Sequence, residues 1–324
     1  MKKSLVIAVY NGEKYLIEQL NSVLNQTEKL DEVILIDDLS TDQSFNIIKK
    51  FIEQNNLSTW KLIKNEKNLG YKGNFRKGLE LVSGDVIFLS DQDDIWHEGK
   101  VEKICYFMND NPNILSLGTS FNLIDEHTNK FEIPLKKGYA NQNLINFPIK
   151  EDELIKIDIK FLHQRNFCQG CTMAFKKEIK DEFLKVSTQK NPHDWEINLI
   201  ACSHGGSYFY NHPLIDYRIH GDNTIGLEEQ ISGLGEDYQS KRVNERIDFL
   251  NDELPLILFA LNLEGFSLKE KKFLANKYDY VKERIQLIQK HKWYKILINY
   301  CLGKYFGKGT FRTMLGDMIS SVKK

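Results

Sequence analysis

Proline is scarce in this sequence, 6 of 324 residues, and only 20 glycines and 5 cysteines accompany it. With 41% hydrophobic and 27% charged residues, the composition excludes a disordered chain or a fibrous repeat and is that of a globular protein with a sizeable core. The length points to about two domains, or one large α/β domain with an extension. No apolar run approaches the roughly 18 residues that cross a bilayer. The run after Lys2-Lys3 stops at the turn pair Asn11-Gly12, so it reads as a strand rather than the core of a signal peptide. The expected location is cytoplasmic.

Net charge is also nearly absent: 44 Lys and Arg against 45 Asp and Glu leave -1, and with it no global field to gather nucleic acid. The charge is unevenly placed. From His291 to Lys324 seven Lys or Arg face a single acid, Asp317, behind a body with an acidic excess. The five cysteines are scattered, which favours free thiols over a disulfide framework. Cys168-x-x-Cys171 with Cys202-x-His204 has zinc-like spacing, but Cys171 opens the apolar stretch CTMAF and Cys202 ends WEINLIAC, where cysteine acts as a small hydrophobe.

Strand and helix signals alternate over the first hundred residues. Ser4 to Tyr10, Glu32 to Ile36, Trp60 to Ile63 and Val86 to Leu89 read as strands. Helical spacing separates them: Tyr15, Leu16, Leu20 and Val23, then Phe45, Ile48, Phe51 and Ile52 after the cap-rich Ser40-Thr41-Asp42, then 74–82. Strands separated by helices imply a parallel sheet covered on both faces. Residues 110–165 are less regular and suit the wall of an acceptor site. Short strands and one helix follow over 166–226. A boundary is expected near 227–238, where Gly, Ser and acids cluster, and from about Gln239 the pattern is helical, with Ile247, Leu250 and Leu254, then Phe273, Tyr280, Ile285 and Ile288.

Ligands of such sheets bind outside the carboxyl ends of the strands. Those ends carry Tyr10-Asn11-Gly12, Asp37-Asp38, Asn65 to Gly70 and Asp91-Gln92-Asp93-Asp94, so acids dominate. Neither GxGxxG nor GxxxxGK[ST] is present after the first strand, and a diphosphate would need a cation held on carboxylates instead. Three carboxylates within four residues repel one another unless a cation or donor groups offset the repulsion, and the D-x-D spacing suits oxygen ligation of Mg²⁺ or Mn²⁺. Asp194, ahead of the amphipathic Ile197, Leu199 and Ile200, reads either as a helix N-cap or as a carboxylate kept ionised by the helix terminus, as a general base must be. His220, in YRIHGDNT, is a surface histidine or a ligand.

The pieces SLVIAVYNGEKYLIEQLNSVLNQT, VILIDDLSTD, NEKNLGYKGNF and GDVIFLSDQDDIW resemble the nucleotide-sugar-binding half of inverting glycosyltransferases of family 2 with the GT-A fold. NFCQGCTMAF, HDWEINLIACSHG and PLIDYRIHGDNTIG resemble the acceptor half of the bacterial rhamnosyltransferase-like branch. The resemblance covers about 4–226 and implies a glycosyltransferase domain over 1–226, split near residue 100, with a helical extension over 227–324. It implies that Asp37 or Asp38 contacts the base, with Tyr10 and Asn11 lining the same pocket and Asn74 in the nucleotide-sugar set. Asp91 and Asp93 map to the DxD motif, Asp91 near ribose or metal and Asp93 on the metal, with Asp94 in support. Asp194 maps to the base that deprotonates the acceptor, His220 to a histidine by the metal or diphosphate, and Arg218 to a phosphate contact.

Two positions depart from the pattern. Leu39 stands where a small residue is usual, which crowds the base pocket or changes the turn. His193 stands where many relatives carry Glu, but the rhamnosyltransferase-like branch commonly shows His there, so the resemblance to that branch is kept and Asp194 remains the implied base. The implied reaction is a single displacement from a nucleotide sugar, dTDP-rhamnose by branch, to a saccharide acceptor carried on a lipid. A UDP-sugar-dependent hexosyl- or galactofuranosyltransferase, a non-catalytic glycan- or nucleotide-binding subunit and a nicotinamide oxidoreductase are the alternatives. In the tail, Trp293, Tyr294, Tyr300, Tyr305, Phe306 and Phe311 lie among Lys292, Lys295, Lys304, Lys308 and Arg312, which suits either an anionic membrane surface or a packed helical subdomain with solvated lysines.

Overall fold

The structure is a computed structural model, and it describes residues 1–135, 140–143, 145, 147–163, 166–221, 245–305 and 310–322. The boundary expected at 227–238, the start of the helical pattern at 239–244, and Phe306 and Lys308 lie outside the described residues. The chain divides into two compact units, Met1–Asp222 and Asn223–Lys324.

In the first unit the order is β1 (Lys3–Val9), α1 (Leu16–Leu24), β2 (Glu32–Asp37), α2 (Ser44–Gln54), β3 (Trp60–Lys64), α3 (Gly70–Leu81) and β4 (Val86–Ser90). There follow β5 (Ile95–Trp96), α4 (Lys100–Asp110), β6 (Ser116–Ile124), β7 (Lys130–Phe131), β8 (Leu154–Lys156) and α5 (Ile159–Leu162). The last elements are β9 (Met173–Lys176), α6 (Lys177–Val186), α7 (His193–Ser203) and β10 (Ser207–Arg218). One sheet holds the strands in the order β3-β2-β1-β4-β9-β6-β10-β5. Every residue of β2 and β4 is buried, as strands covered on both faces must be, and this is why they read as unbroken apolar runs.

The first four strands are parallel, in the register Val6 opposite Ile34 and Leu89. The sheet is not parallel throughout. β9 runs antiparallel to both β4 and β6, and β5 antiparallel to β10. Among the described residues the segment between β6 and β9 holds the short strands β7 and β8 and the four-residue helix α5, not the long helical crossover usual for a parallel neighbour. α3 begins at Gly70, four residues before the expected start, because Gly70 itself takes a positive φ of 68° that lets the chain turn into the helix. α1 buries Leu16, Gln19, Leu20 and Val23 on one face. These βα units bring the ends of β1, β2, β3 and β4 to one edge of the sheet.

The second unit is helical: α8 (Arg246–Asn262), α9 (Leu268–Gln289), α10 (Trp293–Cys301) and α11 (Thr310–Val322). Ser267 and Glu270 form a reciprocal cap at the start of α9. Leu250, Ile257, Leu274, Val281 and Ile288 fill the core between α8 and α9. At its centre Asp317, fully buried, accepts from Arg246, from Arg284 Nε at 2.8 Å and from Tyr305 Oη at 2.9 Å.

Candidate active site

The loops after β1 and β2 are tied together by side chains. Asn11 donates its N–H to Ser40 Oγ at 3.0 Å, and its Oδ1 accepts from Thr41 N at 2.8 Å. Gly12 N donates to Ser44 Oγ at 2.8 Å. Gln92, between the acids of the DQDD stretch, pairs with both backbone groups of Tyr10: Oε1 accepts from Tyr10 N at 2.7 Å and Nε2 donates to Tyr10 O at 2.9 Å. A Cβ at Gly12 would stand 2.4 Å from Gln92, so the glycine is needed for this approach. The Tyr10 ring is left half exposed at the mouth of the crevice.

Asp37 is fully buried and closes the turn by accepting from Ser40 N at 3.2 Å. Asp38 Oδ1 accepts from Asn65 Nδ2 at 2.7 Å and from Leu69 N at 2.8 Å. Among the described residues no donor meets its second oxygen. Asn74, expected to face the nucleotide, is 2% exposed: its Nδ2 donates to Ile36 O and its Oδ1 accepts from Asn65. It braces the pocket wall from behind, because its place on α3 points inward.

Leu39, next to these acids, holds a φ of 65° with a 39% exposed side chain. The turn that usually takes a small residue is therefore kept, at the steric cost of a left-handed leucine. Leu39→Gly removes that strain and little packing, a gain of about 1 kcal/mol that raises the melting temperature by about 2–4 °C. Differential scanning fluorimetry reads it.

At the end of β4 the acids converge. Ligand atoms of Asp91, Asp94 and Cys171 lie within 4.8 Å of one another, and Asp93 Oδ2 meets His220 Nε2 at 2.8 Å. The expected trio Asp91, Asp93 and His220 is thus distributed over two adjoining contacts, with Cys171 added to one of them. Burial and the charges of Asp93, Asp94 and Asp194 push the Asp91 carboxyl well above the usual range. Burial and the Asp93 charge push Asp94 up to about 7. Lys100, fully buried, donates to Cys171 O and sits 3.8 Å from the centre of the Trp96 ring, and burial lowers its pKa to about 7. Burial also keeps the Cys171 thiol protonated. One half-neutral lysine does not balance three carboxylates, and the oxygen-rich donor set fits a divalent cation.

The other cysteines go elsewhere. Cys168 packs against Gly118, Cys202 Sγ faces Ile157 O, and His204 pairs with Glu182 at 2.7 Å.

Arg218 does not fit the phosphate contact expected of it. Its side chain is buried, with Nε donating to Asp93 O at 2.8 Å, Nη1 to Asp125 O and Thr128 Oγ1, and Nη2 to Glu18. The guanidinium lies 4.6 Å from the Tyr15 ring, which in turn packs on His220 at 4.8 Å. Arg218 and Tyr15 thus hold the Asp93 loop and His220 in place. Nothing in the sequence separated this arginine from a ligand-facing one.

Asp194 lies in the first turn of α7, whose N-cap is Pro192, so Asp194 is not the N-cap. Its Oδ1 accepts from Trp195 N at 2.8 Å and its Oδ2 from Gly170 N at 3.2 Å. Burial raises its pKa to about 6 against these two bonds. Its charge is felt by Asp91 and by Tyr71, whose hydroxyl burial and Asp194 push up to about 12, so the carboxylate lies within electrostatic reach of the acid cluster. His193 beside it is buried and stacked on Phe75 at 4.2 Å, and burial lowers its pKa to about 3, which keeps the imidazole neutral.

Residues 4–182 match the family described as Glycosyl transferase family 2, more than half of the chain. The chain belongs to glycosyl transferase family 2. Among family members, the dTDP-rhamnosyl transferase RfbG of Shigella flexneri is 30% identical over 234 residues, 68% of this chain and 73% of that protein. An uncharacterized glycosyltransferase of Haemophilus influenzae is 25% identical over 230 residues, 69% of this chain and 67% of that protein. S. aureus TarS 1-349, solved with UDP-GlcNAc, superposes with a TM-score of 0.60 at 16% identity over 87% of this chain and 72% of that one. The fold is therefore GT-A, and the protein is a glycosyltransferase. Asp194, Arg218 and His220 lie beyond the family match, so their place in the site rests on the geometry above.

Proposed function

We propose that this glycosyltransferase is metal-dependent and inverting, and that it moves L-rhamnose from dTDP-rhamnose to a lipid-linked saccharide in the synthesis of a bacterial surface polysaccharide. The observation that carries the reading is the Asp194 carboxylate, fixed by Trp195 N and Gly170 N and within electrostatic reach of Asp91 in the acid cluster with Asp94. The 30% identity to a dTDP-rhamnosyl transferase supports the donor. The absence of a helix long and apolar enough to cross a membrane among the described residues is consistent with peripheral association on the cytoplasmic face.

In this reading the base stacks by the half-exposed Tyr10 ring, with Asn11 at the same mouth, and donates to the second oxygen of Asp38. Asp91 and Asp93 would hold the cation, Mg²⁺ or Mn²⁺, with His220 against Asp93 and Asp94 beside Asp91. When bound, that ion supplies Lewis-acid stabilisation of the charge growing on the departing diphosphate. Arg218 keeps the Asp93 loop rigid from beneath. Asp194 takes the proton of the attacking acceptor hydroxyl, and the neutral His193 beside it adds no positive charge that would weaken the base. One displacement with one base inverts the anomeric carbon.

Release of nucleoside diphosphate from dTDP-rhamnose, UDP-glucose and UDP-galactofuranose, with lipid-linked acceptors and with or without Mn²⁺, tests the proposal. Metal-dependent turnover of dTDP-rhamnose, with an inverted anomeric centre by NMR, is expected. Turnover of only a UDP-sugar moves the donor to the alternative reading, and turnover unaffected by chelation removes the metal.

A further inference from the structure

In the second unit, α10 and α11 pack against each other and bury Ile296 and Met314. Ordinary amphipathic helices would turn polar residues to solvent on the remaining faces. Here the outward faces are apolar. On α10, Trp293 and Leu297, then Tyr294 and Ile298 with Leu302 just beyond the helix, recur at helical spacing and are 40–65% exposed. On α11, Phe311, Leu315, Ile319 and Val322 form a second stripe, 39–66% exposed. Tyr300 and Phe311 bring the two helices into ring contact, with centroids 6.0 Å apart.

The charges in the same stretch have one sign at the surface. Lys295, Lys304 and Arg312 are exposed and Lys292 half-buried, while the one acid, Asp317, is fully buried and paired with Arg246 and Arg284. Among the described residues Lys295, Lys304 and Arg312 form no ion pair, and the acid that reaches α10, Glu283, meets Asn299. Exposed apolar stripes flanked by such cations on helices of 9 and 13 residues are too short to cross a bilayer and suited to lie in its interface. Aromatic rings such as Trp293 and Tyr294 take the headgroup level, and the cations meet anionic lipid. A second copy of the chain would set the same positive charges against each other, so charge favours lipid over self-association.

We infer that the outward faces of α10 and α11 form a docking surface for an anionic lipid bilayer, which the enzyme enters in the plane of the headgroups. The inference rests on the proposed function only for its purpose, since a lipid-linked acceptor lies at that surface.

Flotation of the full-length protein with vesicles of phosphatidylcholine alone, or with about one third phosphatidylglycerol, at about 0.1 M salt tests it without any substrate. The expected partition onto anionic vesicles exceeds that onto neutral ones at least tenfold. Ile298→Ser with Phe311→Ser lowers it on both vesicles. Each of Lys295→Ala, Lys304→Ala and Arg312→Ala lowers it about fivefold on the anionic ones alone. All these side chains are exposed, so unchanged melting temperatures show that the variants fold. Equal flotation with both vesicles, no flotation, or a dimer by light scattering that the serine variants dissolve overturns the inference. Stabilisation of the same preparations by nucleoside diphosphate with Mn²⁺ reports on the transferase reading separately.

Discussion

Replacing Asp194 by Asn lowers the turnover number by about 10²–10⁴ and leaves the affinity for nucleoside diphosphate unchanged, because only the proton acceptor is removed. The pH profile gives a second signature. With a pKa of about 6, Asp194 is mostly protonated at pH 5 and ionised at pH 7, so the wild-type rate climbs through pH 6 and then levels off. In Asp194→Asn that limb disappears. The folded pKa is raised above the value near 3.9 of a free aspartate, so the fold binds this proton more tightly and its ionisation weakens the fold as pH rises. Asp194→Asn at pH 8 is therefore expected to melt no lower than wild type, which separates lost chemistry from lost structure. Steady-state kinetics across pH 5–8, together with thermal melts, check both halves.

The largest stability effect belongs to Asp317. It is fully buried and holds Arg246, Arg284 and Tyr305 at once, and its pKa is lowered: burial alone would raise it, and the Arg284 hydrogen bond and charge, with Arg246, more than offset that. Asp317→Ala leaves two guanidinium groups without their partner and costs about 3–5 kcal/mol in the helical unit. Hydrogen exchange should show protection lost across α8, α9 and α11, with β1, β2 and β4 still protected. The linkage has the opposite sign to that of Asp194. A depressed carboxyl stabilises above the unfolded value near 3.9 and loses that contribution as pH falls, so acid melts the helical unit and the variant lacks this response.

The strands β1, β2 and β4 were legible because burial on both faces leaves a nearly unbroken apolar run, and the acids at their ends stood out as groups that a core would not tolerate. What the sequence could not show is which way a polar side chain points. Asn74 and Arg218 carry the same donors whether they face a ligand or brace a wall, and the structure turns both inward. Gln92 and Lys100 sat in or near the acid motif without a periodicity or a spacing rule to mark them. Their roles come from contacts across the sheet, Gln92 with Tyr10 and Lys100 with Cys171. The antiparallel β9 was hidden for a related reason: strand direction depends on the path of the connection, and an irregular connection has no pattern to read.

Thermal stabilisation by dTDP, UDP and GDP, each with and without Mn²⁺, tests the central claim most directly. A ligand at about 100 times its dissociation constant adds roughly 2.7 kcal/mol to the folded state, a readable shift. The account predicts stabilisation by dTDP above UDP, only with the metal, and its loss in Asp93→Asn. Stabilisation that needs no metal, or none by any nucleoside diphosphate, would contradict it.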